Sequence, residues 1–197
     1  FRRVLFRSLG YVFNANVITV RDSTVESFIK SIASRFSDYL HNKNKRLKKY
    51  THLTVDDLKD VFLEELNDKL TGAISEKKRY GWVAYYSNIT DHSLLHKIDF
   101  IIREMFKRLD DFDNCAPEGL KKVTRAYYEM KYSPHRGYIR DYDQIKTVKQ
   151  KTEFLHRRGR IAEGERLTKE QVEERYERYK AKNLASMHAD EGEVYPK

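Results

Sequence analysis

The sequence predicts a mainly α-helical protein with a short N-terminal β-hairpin, a helical bundle and a charged helical C-terminal extension. Between residues 23 and 112, apolar side chains recur three and four positions apart, which is the spacing of one face of a helix. Residues 9–20 instead carry two short runs of aromatic and β-branched side chains, which favour strands. Beyond about residue 140, charged side chains dominate and apolar ones become sparse, which is typical of helices at the edge of a fold.

The N-terminal hairpin is predicted from two runs, residues 11–13 and 17–20, joined by Asn14, Ala15 and Asn16. Asparagine tolerates the left-handed backbone that tight turns require, so these three residues can form the turn. Because an isolated two-stranded hairpin is only marginally stable in water, we expect this one to pack on the rest of the chain.

A first helix is predicted to begin at Ser23. Ser23 and Glu26 have the spacing of a capping box, and apolar residues follow at helical spacing as far as Leu40. Residues 42–50 then carry five cations and no acid, a composition that predicts either a solvated loop or a segment that contacts phosphates. These cations are Lys43, Lys45, Arg46, Lys48 and Lys49.

A second helix is predicted from Thr54, whose side chain can cap it, to Gly72, a common type of C-terminal stop. A third, shorter helix is predicted over residues 80–87. Its apolar face would usually lie in a core, so we expect Trp82 and one of the next two tyrosines to be buried. The other tyrosine is expected to face solvent, where a ring beside cations suits base stacking and phosphate contact. The residues concerned are Tyr85, Tyr86, Lys77, Lys78 and Arg79.

A fourth helix, capped by Thr90 or Asp91, is predicted to reach residue 112. Its dense apolar pattern indicates the longest helix and the centre of the bundle. Pro117 is well placed for the first turn of the next helix, and a capping box at Thr168 predicts a last helix to about residue 186. We therefore expect the chain to divide into residues 9–22, 23–113 and 114–197, the last part packing on the bundle or on other parts of a longer protein.

The composition favours an anionic partner. The formal charge is +9, and aromatic residues are too plentiful for a disordered chain. The single cysteine, Cys115, allows no internal disulfide, which fits a reducing compartment. No apolar run approaches the length of a membrane span and no secretory signal is visible, so we expect a cytoplasmic protein that does not contact membranes.

Two motifs resemble those of bacterial retron-type and group II intron-type reverse transcriptases. Gly81 and Trp82 followed by Tyr85 and Tyr86 resembles the thumb signature of that family, and Leu94, Leu95, Ile98 and Asp99 match the pattern that follows it. Leu9, Gly10 and Tyr11, with Arg21 after the second strand, resemble the primer grip at the junction of palm and thumb. The resemblance covers residues 9–112, and residues 113–197 show no match.

Residues 1–8, which include Arg2, Arg3 and Arg7, resemble the translation of a sequencing adapter rather than protein sequence. We therefore expect them to pack poorly and exclude them from the fold prediction. The genuine chain is expected to start near Leu9, with the rest of the gene upstream of it.

The resemblance implies that this chain binds a template–primer duplex of RNA and DNA for an RNA-directed DNA polymerase of the retron, intron or antiphage-defence kind. The parent enzyme would use magnesium, held by the carboxylates of a Tyr-x-Asp-Asp motif in a palm domain against which this chain packs. That motif is absent here, so we expect no catalytic residue and no metal ligand in this sequence. The residues expected to contact nucleic acid are Gly10, Tyr11, Arg21, Lys43, Lys45, Arg46, Lys48, Lys49, Lys77, Lys78, Arg79, Trp82 and Tyr85.

Other chemistry finds little support in the sequence. The acidic cluster at Asp110, Asp111 and Asp113 lies at a helix end without the glycine of a calcium loop, and His92 and His96 lack the glutamate of a zinc-protease pattern. Two alternatives to the polymerase hypothesis stay open, namely a stand-alone helical RNA-binding module and a helical protein-interaction domain whose cations serve solubility.

Overall fold

The computed structural model describes residues 5–14, 16–162 and 164–191, and over these the chain is mainly helical, as predicted. The described residues form two three-stranded sheets, one at the N-terminus and one that combines two strands after the second helix with a strand after the fifth. The elements in chain order are β1 Leu5–Ser8, β2 Tyr11–Asn14, β3 Val17–Val20, α1 Asp22–Lys49, α2 Val55–Thr71, β4 Ala73–Ser75, β5 Lys78–Tyr80, α3 Trp82–Tyr85, α4 His92–Met105, α5 Val123–Tyr132, β6 Arg140–Asp141, α6 Val148–Arg157 and α7 Lys169–His188.

The predicted N-terminal hairpin is confirmed as β2 and β3, which pair antiparallel with Tyr11 opposite Val20. Ala15 in the predicted turn lies outside the described residues, as do residues 1–4. The backbone of residues 5–8 adds a third strand, β1, on the other edge of β2. Leu9 and Gly10 form the two-residue turn between β1 and β2 with positive φ angles of 51° and 82°, the conformation that matches the twist of a hairpin. The adapter origin of residues 1–8 stays a prediction.

Helix α1 differs from the prediction at both ends. It begins at Asp22, and its N-cap residue Arg21 makes no side-chain cap, so the capping box predicted at Ser23 is wrong. It also continues to Lys49, so the predicted basic loop at residues 42–50 is helical almost throughout. Lysine, arginine and leucine are good helix formers, no glycine or proline interrupts them, and cations are favourable at the C-terminal end of a helix.

Helix α2 has the predicted ends. The Thr54 hydroxyl accepts the Asp57 N–H at 3.1 Å, and the Asp57 carboxylate accepts the Thr54 N–H at 2.7 Å, which is the predicted cap in reciprocal form. Gly72 ends the helix with a φ of 71°, and a Cβ on Gly72 would lie 2.2 Å from the Tyr80 carbonyl oxygen. Glycine is therefore required at this stop for both its backbone angle and its small size.

The hairpin of β4 and β5 was not predicted. Its turn residues, Glu76 and Lys77, have φ angles of 52° and 62°, which glycine or asparagine adopt more readily. The Asp143 carboxylate accepts the N–H groups of both turn residues, at 2.7 and 2.9 Å, and so stabilises the turn. The hairpin extends to a small sheet because β6 pairs in parallel with β4.

The end of α4 and the start of α5 also differ from the prediction. Asp91 caps α4 as predicted, but α4 ends at Met105 and is half the length of α1, so it is not the longest helix. Helix α5 begins at Val123 rather than near Pro117. Asp99 on α4 caps it, because its carboxylate accepts the N–H groups of Val123 at 2.6 Å and Thr124 at 3.1 Å.

The buried apolar side chains form two clusters. The first unites the N-terminal sheet with α1 to α5 and contains Ile32, Leu66, Trp82, Ile98 and Tyr127. The second joins α6 and α7 to β4 and contains Phe154, Leu155 and Tyr176. Helix α5 belongs to the first cluster, so packing is continuous across the boundary predicted after residue 113. Most residues of the second cluster come from about position 140 onward. This part of the chain packs on the bundle, which is one of the two arrangements that the sequence left open.

Candidate nucleic-acid interface

The two sequence motifs are in direct contact, although they are far apart in the chain. The Tyr11 hydroxyl donates to the Tyr85 carbonyl oxygen at 2.9 Å, and the Tyr11 ring meets the Tyr86 ring edge to face at 5.1 Å. A Cβ on Gly10 would lie 2.4 Å from the Tyr86 hydroxyl oxygen. We refer to Gly10, Tyr11, Trp82, Tyr85 and Tyr86 as the motif junction.

The other edge of the hairpin is fixed to the start of α4. The Ile18 carbonyl oxygen accepts the N–H groups of Thr90 at 2.9 Å and Asp91 at 3.1 Å. In return the Thr90 hydroxyl accepts the Ile18 N–H at 2.8 Å, and the Asp91 carboxylate accepts the Thr19 hydroxyl at 3.0 Å. Hydrogen bonds on both sides therefore hold the hairpin against the bundle, which confirms the expectation that it packs on the rest of the chain.

Trp82 is a core residue, so its prediction as a nucleic-acid contact is wrong. It is 1% exposed and stacks on Phe28 of α1, with ring centroids 4.9 Å apart and planes 8° from parallel. Tyr86 is equally buried, whereas Tyr85 is half-buried. The prediction that Trp82 and one of the two tyrosines would be buried is confirmed, and Tyr85 is the tyrosine left at the surface.

The other residues of the motif junction mainly hold the hairpin against the bundle and expose little side-chain surface to a ligand. Tyr11 is 9% exposed, which leaves little of its ring for a ligand. Burial raises the pKa of Tyr86 to about 12, so its hydroxyl stays neutral at physiological pH and donates to the Glu191 carbonyl oxygen at 3.3 Å. The backbone N–H of Arg21 donates to the Gly10 carbonyl oxygen at 2.8 Å, which places the exposed Arg21 side chain beside the junction.

Gly81, the first residue of the thumb-like motif, has a separate structural role. Its φ is 105°, and a Cβ there would lie 2.9 Å from the Gly72 Cα. Its N–H donates to the Glu191 carboxylate at 2.9 Å. The close approach of two backbones therefore explains this glycine without any ligand.

The five cations at the C-terminal end of α1 fall into two groups. Lys43 pairs with Asp111 at 2.7 Å, and Arg46 pairs with Asp38, about two turns earlier on the same helix. The other three are exposed, and within the described part of the chain no ion pair involves them. They are Lys45, Lys48 and Lys49.

Asp111 holds the end of α1 in place. Its carboxylate accepts hydrogen bonds from the Lys43 ammonium and, at 2.9 Å, from the Tyr39 hydroxyl. The bond from Lys43, followed by the bond from Tyr39, keeps the pKa of Asp111 below its ordinary value although partial burial opposes this. The acidic cluster considered for metal binding therefore contributes an ion pair to the fold.

Lys77, Lys78 and Arg79 are all exposed on the hairpin of β4 and β5. Two of them line an open cleft of about 760 Å³ that also contains acids. One of these acids, Asp141, pairs with His135 at 2.8 Å, and another, Asp143, holds the hairpin turn. The cleft is thus mixed in charge.

The structure brings together only some of the predicted contact residues. Gly10, Tyr11, Arg21 and Tyr85 meet at one place. Phe28 marks the level of this junction on α1, and at about 1.5 Å per residue Lys45 and Lys48 lie roughly 25–30 Å further along the helix. The cations therefore form separate groups along a helix about 42 Å long rather than one patch.

Exposed side chains on α5 were missed by the sequence analysis. Tyr128 is 41% exposed, and Tyr132 is 69% exposed. The buried face of α5 instead carries Val123, Tyr127 and Met130. The spacing of Tyr128 and Tyr132, one turn apart and out of phase with Val123, is the signal that identifies a second aromatic face.

Neither a metal centre nor a membrane helix is seen in the described ranges. Residues 5–14, 16–162 and 164–191 contain no group of three or more His, Cys, Asp or Glu side chains placed to hold a metal ion. Among the helices of these ranges, none combines the length and apolar character needed to cross a bilayer. In comparisons with known proteins, no model of a protein family, no curated protein and no solved structure matched this chain.

Proposed function

We propose that this chain is the primer-grip and thumb region of an RNA-directed DNA polymerase and binds the RNA–DNA duplex of template and primer. The observation that carries the proposal is the packing of the Leu9, Gly10 and Tyr11 turn against Tyr85 and Tyr86. Two short motifs that resemble one polymerase family, in the expected chain order, form one junction in space. A chance occurrence of either motif would not require the other to lie against it.

The exposed cations suit contact with a duplex backbone. Arg21 lies at the junction, Lys77, Lys78 and Arg79 lie on the hairpin that precedes Trp82, and Lys45, Lys48 and Lys49 lie near the far end of α1. A nucleic-acid duplex offers phosphates continuously along its length, so separated groups of cations can each neutralise phosphates. Such contacts position the duplex and contribute affinity without reading its sequence.

In this proposal the chain supplies no catalytic group. The carboxylates that would hold magnesium belong to a palm domain encoded upstream, and the junction would pack beside it. The rigid attachment of the hairpin to the bundle suits this role, because a fixed junction transmits the position of the duplex to the catalytic centre.

The proposal is tested by reversing two exposed charges. In the variant Lys45→Glu with Lys48→Glu, we expect the affinity for a blunt RNA–DNA hybrid to fall by about tenfold to sixtyfold at roughly 0.1 M salt, since each lost phosphate contact forgoes the release of a counterion. Fluorescence anisotropy with a labelled hybrid measures the change. Arg46 and Lys43 are left intact because their ion pairs stabilise the fold.

The matched control is Lys169→Glu with Lys182→Glu, which changes the net charge equally at two exposed positions of α7. We expect this control to bind the hybrid within about threefold of the unaltered chain, because only the long-range field changes. Equal effects of the two variants, or no binding of the hybrid by the unaltered chain, would contradict the proposal. Binding of single-stranded or hairpin RNA with no binding of the hybrid would favour a stand-alone RNA-binding module, and no nucleic-acid affinity would favour a protein-interaction domain.

A further inference from the structure

A second aromatic and basic surface lies between α4 and α5, separate from the residues of the motif junction. It is a cleft of about 540 Å³, and we call it the tyrosine cleft. Tyr132 is 69% exposed and Tyr128 is 41% exposed, so both rings offer their surfaces to solvent. The side chains that define the cleft are His96, Lys122, Arg125, Tyr128, Tyr132 and Arg136.

The two rings lie one helical turn apart on the same face of α5, so they are neighbours about 5–6 Å from each other at their Cβ atoms. The Tyr128 hydroxyl is within hydrogen-bonding distance of His92 Nδ1, at 3.1 Å, and the Tyr128 ring also meets the Tyr127 ring edge to face at 5.4 Å. These contacts orient Tyr128 from one side only. The Lys131 ammonium lies over one face of the Tyr132 ring, 5.6 Å from its centre, so a base would stack on the other face.

The lining of the cleft carries three cations, Lys122, Arg125 and Arg136, and two acids, Asp99 and Glu129, so cations outnumber acids there. The Asp99 carboxylate accepts three hydrogen bonds from the start of α5, including the Thr124 hydroxyl at 2.6 Å. Glu129 pairs with Arg125 at 3.3 Å. Lys122 and Arg136 are exposed, and neither makes an ion pair with any residue that the structure describes.

We propose that the tyrosine cleft binds single-stranded nucleic acid by stacking unpaired bases on Tyr132 and Tyr128, with Lys122 and Arg136 contacting the phosphates. Exposed rings within a cationic groove are the arrangement by which proteins hold single strands, because every base has a face that can stack. A duplex cannot use the rings in this way, because its bases are stacked on each other. The ligand class is therefore unpaired RNA or DNA, which the duplex-binding proposal does not require.

A comparison within the same molecule supports this assignment. Phe100 on α4 is also 63% exposed, but the cleft it lines is mainly apolar and contains a single Lys or Arg side chain, Arg108. That cleft lacks the combination of several exposed cations with rings one turn apart. Only the tyrosine cleft, among these two, offers both a stacking surface and phosphate contacts.

The test uses a labelled oligo-uridine of about twelve nucleotides, within the range of known single-strand site sizes. In Tyr132→Ala we expect the affinity to fall roughly fivefold to 150-fold, which is the usual loss for one base-stacking ring. Tyr132→Phe keeps the ring and is expected to bind within about twofold of the unaltered chain. Tyr132 is exposed, so both variants should retain the fold, which circular dichroism checks.

Phe100→Ala is the matched control, since it removes an equally exposed ring from the other cleft. We expect it to leave oligo-uridine affinity unchanged. Equal losses in Phe100→Ala and Tyr132→Ala, or unchanged affinity in the double variant Tyr128→Ala with Tyr132→Ala, would overturn the proposal. The blunt hybrid serves as a second probe. If Tyr132→Ala loses oligo-uridine binding and keeps hybrid binding, the result supports two separate sites. If Tyr132→Ala loses oligo-uridine binding and the unaltered chain never binds the hybrid, the result supports the cleft and contradicts the polymerase proposal.

Discussion

A side chain at position 10 would be unfavourable for two reasons. The φ of Gly10, 82°, is a backbone conformation that residues with a Cβ adopt at a cost, and the space for a Cβ is already filled by the Tyr86 hydroxyl. The glycine of the Leu9, Gly10 and Tyr11 turn is thus explained by packing against Tyr86. The contact would make the two motifs depend on each other in any chain that carries both.

Replacing Gly10 by alanine should therefore destabilise the protein more than the backbone angle alone requires. Gly137 is the matched control, because its φ is 85° and a Cβ there would meet nothing within 4 Å. We expect Gly137→Ala to lower the free energy of unfolding by about 1 kcal/mol, from the left-handed backbone. Gly10→Ala should lower it by about 1–3 kcal/mol more, from the clash. Urea unfolding measures both.

The variant Tyr86→Phe separates the two causes, since it removes the hydroxyl oxygen nearest to the added methyl group. Combined with Gly10→Ala, it should recover part of the loss, giving a double-mutant coupling energy of about 1 kcal/mol. Equal destabilisation by Gly10→Ala and Gly137→Ala, together with no coupling to Tyr86, would show that the two motifs do not pack as described.

At the scale of the element, α1 is the helix on which the positions of the cations depend. It carries Arg21 at its start and the exposed lysines near its end, and Phe28 ties it to the motif junction. The far end is held by Asp111, which binds Lys43 and Tyr39. The ion pair therefore keeps the basic end of the helix attached to the bundle.

The stability contributed by Asp111 should depend on pH. Its pKa in the folded protein lies below the ordinary value of 3.8, so the carboxylate stabilises the fold at neutral pH. That stabilisation is complete above the unfolded pKa and is lost as the pH falls through the folded pKa. We expect Asp111→Asn to lower the free energy of unfolding by about 1 kcal/mol at pH 7, and by progressively less below about pH 4.

Asp60, exposed on α2, is the control for this measurement. Asp60→Asn should change the free energy of unfolding by less than about 0.5 kcal/mol at either pH, as is usual for surface substitutions. Urea unfolding at pH 7 and pH 3 gives the comparison. A loss in Asp111→Asn that is the same at both pH values would mean that the charge of Asp111 is not what holds the end of α1.

The elements that the sequence predicted well have local signals. Thr54 and Asp57 cap α2 with their own side chains, and Gly72 ends it, so all the information lies within a few residues. The errors arise where the signal comes from elsewhere in the chain. The start of α5 is set by Asp99 on α4, and the turn at Glu76 and Lys77 is stabilised by Asp143, so neither could be located from neighbouring residues.

At the scale of the whole molecule, a buried ionic network joins the extension to the bundle. The Arg158 guanidinium, with its side chain fully buried, pairs with Asp68 on α2 at 2.6 Å and with Glu64 at 3.0 Å. Arg140 also pairs with Glu64, at 2.9 Å. Because loss of one partner would leave a buried charge uncompensated, at a cost of about 3–5 kcal/mol, the network favours a single orientation of the extension.

The candidate site could be predicted from the sequence only in part. Short motifs led to Gly10, Arg21 and Tyr85, which the structure does bring together. The helical pattern predicted that Trp82 is buried, but it could not tell which of Tyr85 and Tyr86 faces solvent, since the two are neighbours on a short helix. Tyr132 was missed because exposed tyrosines on α5 become visible only when the buried face of that helix is known.

The central claim is that a duplex of RNA and DNA is held through its phosphates by cations placed along the bundle. The most direct test is to titrate the unaltered chain with a blunt RNA–DNA hybrid at several salt concentrations between roughly 50 and 200 mM. We predict that the logarithm of the affinity falls linearly with the logarithm of salt concentration, with a slope of about −3 to −6, as four to seven phosphate contacts require. A slope near zero, or no measurable binding at the lowest salt, would contradict the claim.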